Sequence, residues 1–359
     1  MKLLRVVMLG CLIASANAHA ADLAGITVNG EVAFDYNFLS TKDNGIPNTG
    51  AATNETYRLN SAQILLKKET DQINFLARLA YVPTAVVTTT TPAEGKTTYN
   101  LGTLDQIEAY YKVTSQFHIG FGRFLTTMGY ESLLKSENST YNNTIAYQSI
   151  VPGYGEGLRL RYIAGDWLTA TLSTYNQSTY SAWGDDYTPT KTTELSATGV
   201  LGNLTWFGGY YLGTDSGATA KVEKSASSVW AAYKFADNFS LAITYDSRTF
   251  TPDGEHAHWA DSTSAVLSYG LNQHNLALRY EMVRGANELV DPVTFATYGN
   301  ADKVNSLTVT DKIALTENFK VYAEYRMDQA DEDVFADEDG NANSKKDASM
   351  ITLGAIASF

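Results

Sequence analysis

Five arginines occupy positions at which polar side chains are expected: Arg58, Arg78, Arg123, Arg159 and Arg161. Arg159 and Arg161 alternate with Leu158 and Leu160, so their guanidinium groups share one face of an extended segment. They closely follow a stretch that carries Tyr130, Glu131 and Glu137. Guanidinium groups that face carboxylates across a water-filled space create a field that orients polar solutes and biases ion flow. The alternative interpretation is that each arginine pairs with a neighbouring charge and has no role in a channel.

Extended segments must position these groups, because a two-residue hydrophobic period dominates the chain from Ile26 onward. Sixteen such segments can be counted, most of them about ten residues long, which is the length of a tilted strand that crosses a bilayer. Strands of soluble sandwiches are typically nearer 5 or 6 residues. Alternation places Arg78 on the polar, water-facing side of its strand. The alternation around Arg58 does not decide which side of the strand that residue faces. Aromatic residues near the segment ends, such as Trp167, Trp206 and Trp230, fit girdles at the two membrane interfaces.

The connections between the segments alternate in length. Seven are short and rich in turn-forming residues, such as Gly202-Asn203 and Asp237-Asn238. Eight are long: 39–56, 83–102, 126–155, 178–191, 214–225, 250–261, 285–303 and 329–347. The sequence therefore predicts an all-β fold, a transmembrane antiparallel β-barrel of about 16 strands with short periplasmic turns and long extracellular loops. Pairing of the last strand with the first would leave no sheet edge unsatisfied in lipid.

The N-terminus predicts export. Lys2 and Arg5 precede an apolar run from Val6 to Ala14, and small residues follow, which is the pattern of a signal peptide over 1–20 cut after Ala20 or Ala18. A single barrel domain would then span 21–359. The mature chain would lack cysteine and carry a formal charge of about -15, because the leader removes two of the 26 basic residues. An acidic chain of this kind excludes nucleic-acid binding and predicts a weak to moderate preference for cations in any channel.

Two features carry a family resemblance. The chain ends on alternating apolar residues with a terminal Phe359, and Gly122-Arg123-Phe124 is followed by Gly129-Tyr130-Glu131. In architecture the chain resembles the general porins of Gram-negative outer membranes, and the two short motifs are similar to those of β-barrel porins with a "GRF…GYE" segment. The segment 126–155 is the longest connection and corresponds to the third loop of such porins. It is called loop three here.

The resemblance implies that loop three folds into the lumen and narrows it. It also implies a homotrimer in the outer membrane, contacts with lipid and lipopolysaccharide, and recognition of Phe359 by the barrel-insertion machinery. The expected function is passive diffusion of small hydrophilic solutes and ions through a water-filled channel without a cofactor. A substrate-selective channel, for sugars or for an anion such as phosphate, stays open. The predicted constriction joins the five arginines of the wall to Tyr130, Glu131 and Glu137 of loop three.

Two other kinds of site are not expected. His256 and His258 lie beside Asp253 and Glu255, but a segment with two histidines lacks a third firm metal ligand. A barrel protease or phospholipase needs a positioned Ser–His or Asp–His set, whereas His118 and His274 lie on strands near predicted turns without a convincing partner. The sequence therefore predicts neither a metal site nor an enzyme.

Overall fold

The computed structural model describes residues 21–23, 25–41, 55–81, 103–176, 191–216, 221–254, 256–289, 298–337, 339, 341 and 343–359. The expected signal peptide lies outside the described residues, as do the connection 83–102 and parts of six other long connections. Among the described residues, no helix has the length and apolar character needed to cross a membrane.

The fold is a closed antiparallel β-barrel of 16 strands, β2 to β17, preceded by a three-residue strand β1. The strands are β1 Ala21–Leu23, β2 Ile26–Leu39, β3 Thr56–Glu69, β4 Ile73–Tyr81, β5 Thr103–Lys112, β6 Phe117–Leu125, β7 Tyr154–Ile163, β8 Thr169–Tyr175, β9 Thr192–Leu201, β10 Leu204–Ser216, β11 Lys221–Ala236, β12 Phe239–Pro252, β13 His258–Leu271, β14 His274–Arg284, β15 Lys303–Ala314, β16 Phe319–Ala330 and β17 Asp347–Ser358. Within the described ranges, one short α-helix, α1, spans Ile145–Ser149 in loop three, and 3-10 turns span Lys135–Glu137 and Ala286–Glu288.

Each strand pairs with its sequence neighbours, and β17 pairs with β2 to close the barrel. The terminal residue takes part in the closure, because Gly30 and Phe359 exchange two backbone hydrogen bonds of 2.9 Å. The ring of Phe359 also lies over Gly30, where a Cβ would come within 2.2 Å of it. Glycine at position 30 therefore leaves room for the ring in this close approach.

The two faces of the wall differ as the alternation predicts. Outward positions are apolar and exposed, as at Leu195, Leu278 and Leu353. Inward positions are polar and buried, as at Glu194, Arg279 and Thr352. An apolar outer band suits hydrocarbon, whereas the inner polar groups need partners inside the lumen. Trp230 departs from the predicted girdle: it faces inward and stacks on Phe207 at a centroid distance of 5.7 Å.

Four strands are longer than the sequence indicated. β10 to β13 contain 13, 16, 14 and 14 residues, so the predicted connections 214–225 and 250–261 shrink to the residues between Ser216 and Lys221 and between Pro252 and His258. Alternation marks only the part of a strand that faces lipid, for which about 9–11 residues suffice. Above the bilayer both faces of the sheet contact water, so the strands continue to pair without an alternating apolar pattern. The hairpin of β1 with β2 was also not predicted.

Loop three packs against the barrel wall through Tyr141. Its ring lies over Gly354 of β17, its hydroxyl donates to the backbone oxygen of Phe34 at 3.1 Å, and it meets the ring of Tyr322 edge-on. A Cβ at position 354 would stand 2.6 Å from the Tyr141 ring. The absence of a side chain at Gly354 therefore allows loop three to reach the wall.

Gly354→Ala is expected to destabilise the folded barrel by about 1–3 kcal/mol, the usual cost of inserting a methyl group into a packed site. Gly208→Ala is the matched control, because a Cβ at position 208 meets no atom within 4 Å. Urea unfolding followed by heat-modifiable migration in gels measures both. Equal loss of stability in the two variants would contradict the packing of Tyr141 on Gly354.

Candidate channel constriction

Loop three enters the lumen at the end of β6 and contacts the wall on both sides of the barrel. Thr126 and Thr127 meet β9, Gly129 meets β11, and Leu133 accepts a hydrogen bond from Gln63 of β3 at 3.2 Å. The return path follows β16 and β14 and ends where Thr126 donates to the oxygen of Gly153. The prediction that loop three folds into the lumen is confirmed.

Four buried glutamates of the wall hold the backbone of loop three. Glu31 accepts from the amides of residues 135 and 136, both at 2.9 Å, and Glu281 accepts from residues 145 and 146, also at 2.9 Å. Glu324 accepts from residues 141 and 142 at 2.6 and 3.1 Å, and Glu194 accepts from residue 127 at 2.8 Å. Their exposure is 2% or less. These contacts are the carboxylate clamps.

The clamps satisfy both partners. Irregular backbone inside a lumen has amides without a ladder to join, and a carboxylate out of water needs donors. Hydrogen bonds to a charged acceptor contribute about 1.5–3 kcal/mol each. Glu281 meets the first turn of α1, where Thr144 also caps the helix by accepting from the Tyr147 amide. Its carboxylate thus lies where helix amides have no helical partner.

Cationic side chains of the wall hold the carbonyl groups of loop three. Arg279 donates to the oxygen of Asn142 at 2.7 Å and Arg248 to that of Ser149 at 2.6 Å. Three further side chains donate to backbone oxygens of the loop: Arg326 to Asn143, Lys312 to Asn138 and Lys320 to Ser136. Donors and acceptors of the loop backbone are therefore both fixed by the wall, which makes loop three a rigid part of the lumen.

Water-accessible space remains beside loop three in a cavity of about 250 Å³. It is lined by Tyr130, Glu131, Ser132, Glu137, Asn138, Ser139, Thr140 and Val266. A volume of this size holds roughly eight waters, since each takes about 30 Å³ in the liquid. The three residues that the sequence assigned to the loop side of a constriction, Tyr130, Glu131 and Glu137, thus line one polar space.

Those three residues have distinct surroundings. Tyr130 meets the ring of Trp230 edge-on, and burial raises the pKa of its hydroxyl. Glu131 bridges to Arg279 at 2.9 Å and accepts from the Thr144 amide at 2.9 Å, so it is 8% exposed. Glu137 is exposed and accepts from the Ser132 hydroxyl at 2.5 Å. Among these residues, Glu137 offers its charge most openly to the cavity.

The five predicted arginines have other described partners than Glu131 and Glu137. Arg58 bridges to Asp35 at 2.6 Å on the inner face, which resolves its ambiguous register. Arg78 binds Asp105 and the hydroxyl of Tyr154 and donates to Gln63 at 3.3 Å. Both arginines are paired with neighbouring side chains of the wall, as in the alternative interpretation that each arginine pairs with a neighbouring charge.

Arg123, Arg159 and Arg161 also differ among themselves. Arg123 pairs across strands with Ile107, whose side chain faces outward, and it bridges to Glu156 at 3.2 Å. By alternation Arg123 lies on the outer register, since Phe124 faces inward, but its guanidinium turns toward Tyr154, 5.2 Å from the ring centre, and only 9% of the residue is exposed. Arg159 is 3% exposed and donates to the hydroxyls of Ser173 and Tyr175 and to a carbonyl oxygen. Arg161 is half-buried, faces the lumen and stands 4.5 Å from the Tyr110 ring centre.

Sequence reasoning missed the residues that fix loop three. Glu281 and Arg279 alternate with apolar residues on β14, and Glu324 and Arg326 do so on β16, so their inward register was readable. Several of the arginines predicted from the sequence lie instead on strands that adjoin loop three in sequence. The loop crosses the lumen, so the partners of its backbone come from strands far along the chain.

The histidines on strands differ from expectation in one respect. His274 has a partner, because its Nδ1 lies 3.0 Å from Asp311. Both side chains lie on the outer register near the periplasmic turns. His118 faces the lumen, and its Nε2 is buried without a hydrogen-bond partner among the described residues. The Asp–His pair therefore sits on the outer wall and not in the lumen.

The ammonium group of Lys135 in loop three loses hydrating water because the loop is buried in the lumen. Its ammonium donates to the oxygen of Tyr141 at 2.9 Å and lies 4.7 Å from the centre of that ring. Desolvation and the nearby Arg58 lower the pKa of Lys135. A carbonyl oxygen and an aromatic face thus partly replace the water that the ammonium loses.

Comparison with known proteins agrees with this architecture. Solved structures similar to the chain include the anion-selective porin from Comamonas acidovorans, with a TM-score of 0.64 and 10% identity over 93% of this chain and 99% of that one. OmpF of Salmonella typhi in complex with daunomycin has a TM-score of 0.60 and 14% identity, covering 93% of this chain and 97% of that one. The trimer form of OmpT, an outer membrane protein of Vibrio cholerae, has a TM-score of 0.59 and 14% identity, covering 93% of this chain and 99% of that one. A search of curated proteins found no match.

The fold, these likenesses and a family match define the class of protein: a porin-type β-barrel of a Gram-negative outer membrane. The chain matches a family over residues 25–359, which is nearly its whole length. It belongs to that family, described as "Putative beta-barrel porin-2, OmpL-like".

Replacing one clamp should loosen loop three without opening the barrel. Glu281→Gln puts an amide NH₂ where a carboxylate oxygen faces backbone N–H groups, so we expect about 1.5–3 kcal/mol of anchoring to be lost. Limited proteolysis of the folded protein, with cleavage mapped by mass spectrometry, should then show faster cutting in loop three. Glu137→Gln, in the same loop but bonded to Ser132, should be cut at the wild-type rate. Equal cutting of both variants would contradict the clamp.

Proposed function

We propose that the protein forms a channel for passive diffusion of small hydrophilic solutes and ions across the outer membrane. The observation that carries this proposal is the polar cavity beside loop three inside a barrel with an apolar exterior. The loop is fixed by the wall, so it acts as a constant constriction that limits solute size. Membership of a porin family supports a channel over a barrel enzyme.

The channel should conduct in planar bilayers, and the cavity should control the current. Ser139→Cys puts a thiol in the cavity lining, and the expected mature chain has no other cysteine. Reaction with a bulky charged thiosulfonate should reduce single-channel conductance by at least half, because the adduct occupies much of a space of about 250 Å³.

Ser344→Cys is the control, since Ser344 is exposed in the last extracellular connection. Its modification, confirmed by mass spectrometry, should leave conductance unchanged. No conductance from the unmodified protein would overturn the proposed channel. Unaltered conductance after modification of Ser139→Cys would place the ion path elsewhere.

The second candidate function is an anion-selective channel, favoured by the charges of the lumen below loop three. Lys312 and Lys320 donate to carbonyl groups, which do not neutralise an ammonium charge, and Arg161 lies against an aromatic ring. Lys67 and Lys234 face the lumen near the turns and are exposed. Much of the acidic surplus lies in extracellular connections such as 331–339. Local charge of the lumen would then outweigh the net charge that predicted cation preference.

Reversal potentials in a salt gradient distinguish the two preferences. Arg161→Gln should shift the potential toward cations, because it removes a half-exposed guanidinium from the lumen. Arg284→Gln is the control: that residue bridges to Asp261 at 2.8 Å on the outer register. A wild-type potential of cationic sign would reject the anion-selective candidate. A potential unmoved by Arg161→Gln would remove Arg161 from the ion path.

The remaining features are proposed with the channel. The trimer form recorded for the similar OmpT supports a homotrimer, which native mass spectrometry from detergent can test. The pattern of residues 1–20 supports a cleaved signal peptide followed by one barrel domain over 21–359. Exposed apolar side chains on the outer register support contacts with lipid and lipopolysaccharide. The terminal Phe359 supports recognition by the barrel-insertion machinery.

A further inference from the structure

Two histidines and a glutamate meet at the extracellular rim of the barrel. His256 lies in the connection between β12 and β13, His258 begins β13, and Glu288 ends the 3-10 turn after β14. One ligand atom of each residue lies within 4.8 Å of those of the other two. The imidazole rings of His256 and His258 are 4.5 Å apart at their centres. The fold thus supplies the third ligand that the sequence lacked.

The backbone around Glu288 is held against β13. Gly285 has a φ of 66°, and a Cβ there would stand 2.2 Å from the backbone oxygen of Trp259. The following turn is closed by the Glu288 amide, which donates to the Gly285 oxygen at 3.0 Å. Arg284 and Asp261 tie the two strands together just below, at 2.8 Å. Glycine at 285 therefore lets the turn pack tightly and brings Glu288 beside His258.

We propose that His256, His258 and Glu288 form a binding site for a divalent transition-metal ion such as Zn²⁺. Two imidazoles and one carboxylate are a donor set that zinc sites use, with the open position taken by water. Calcium and magnesium prefer oxygen ligands alone, so the two histidines select against them. The carboxylate of Glu288 already contacts the Nδ1 of His258.

Closing the site requires a small movement. Ligand atoms about 2.1 Å from a tetrahedral zinc ion lie roughly 3.4 Å from each other. The observed spread of up to 4.8 Å must therefore shrink by a little more than 1 Å. His256 is exposed and lies in a connection of five residues, so its side chain can turn toward the ion. His258 and Glu288 are half-buried, and an ion bound between them would replace their direct contact, so these two ligand atoms must move slightly apart.

Metal binding can be measured on the folded mature protein purified without a polyhistidine tag. After dialysis against a chelator, titration with Zn²⁺ by calorimetry should show one ion per chain with a dissociation constant in the micromolar range. Co²⁺ in place of Zn²⁺ should give the visible absorption of a low-coordinate nitrogen and oxygen site. The readouts are independent of channel conductance.

Variants decide which residues bind the ion. His256→Ala, His258→Ala and Glu288→Gln should each weaken Zn²⁺ binding at least tenfold. His274→Ala is the matched control, because His274 pairs with Asp311 at the opposite end of the barrel, and it should bind as the wild type does. His256→Ala removes an exposed side chain and leaves folding intact, which heat-modifiable migration verifies. Absence of saturable binding, or undiminished binding by His256→Ala and Glu288→Gln, would overturn the proposal.

Discussion

The interior of this barrel depends on buried carboxylates that accept backbone amides. Glu31, Glu194, Glu281 and Glu324 are at most 2% exposed, and each receives at least one amide of loop three. Neither partner is stable alone in a low-dielectric interior: the carboxylate would be an unpaired charge, and the amide an unsatisfied donor. Their mutual satisfaction lets a loop with little regular structure occupy the lumen.

This dependence also explains how the lumen is divided. The wall from β14 to β17 and onto β2 is covered by loop three, and residues such as Thr308 and Arg326 are fully buried there. The space left beside the loop is small and polar, and basic side chains line the lumen toward the periplasmic turns. In the proposed channel, such a passage would filter solutes by size at the loop and by charge below it. The proposed metal site stands apart from the passage, because its ligands come from the connections at the rim.

The alternation of residues predicted the barrel almost completely, since one side of each strand must suit lipid and the other water. The bounds of β6, β9 and β14 are as predicted, whereas β10 to β13 extend above the membrane, where no alternation is required. The sequence did not predict which wall residues loop three contacts in the lumen. Glu281 and Arg279 showed their register in the sequence, but their partners depend on how a 28-residue connection folds in three dimensions. Likewise Glu288 joins His258 only through the packing of a turn against β13.

Hydrogen–deuterium exchange of the folded protein tests the clamps most directly. The amides of residues 135, 136, 141, 142, 145 and 146 donate to wall glutamates and should exchange as slowly as amides in the barrel strands. The amides of Glu332 and Asp333, which are exposed in the last connection, provide the comparison for an exposed segment. Exchange of the loop-three amides at the rate of that exposed segment would contradict a loop fixed inside the lumen by carboxylates.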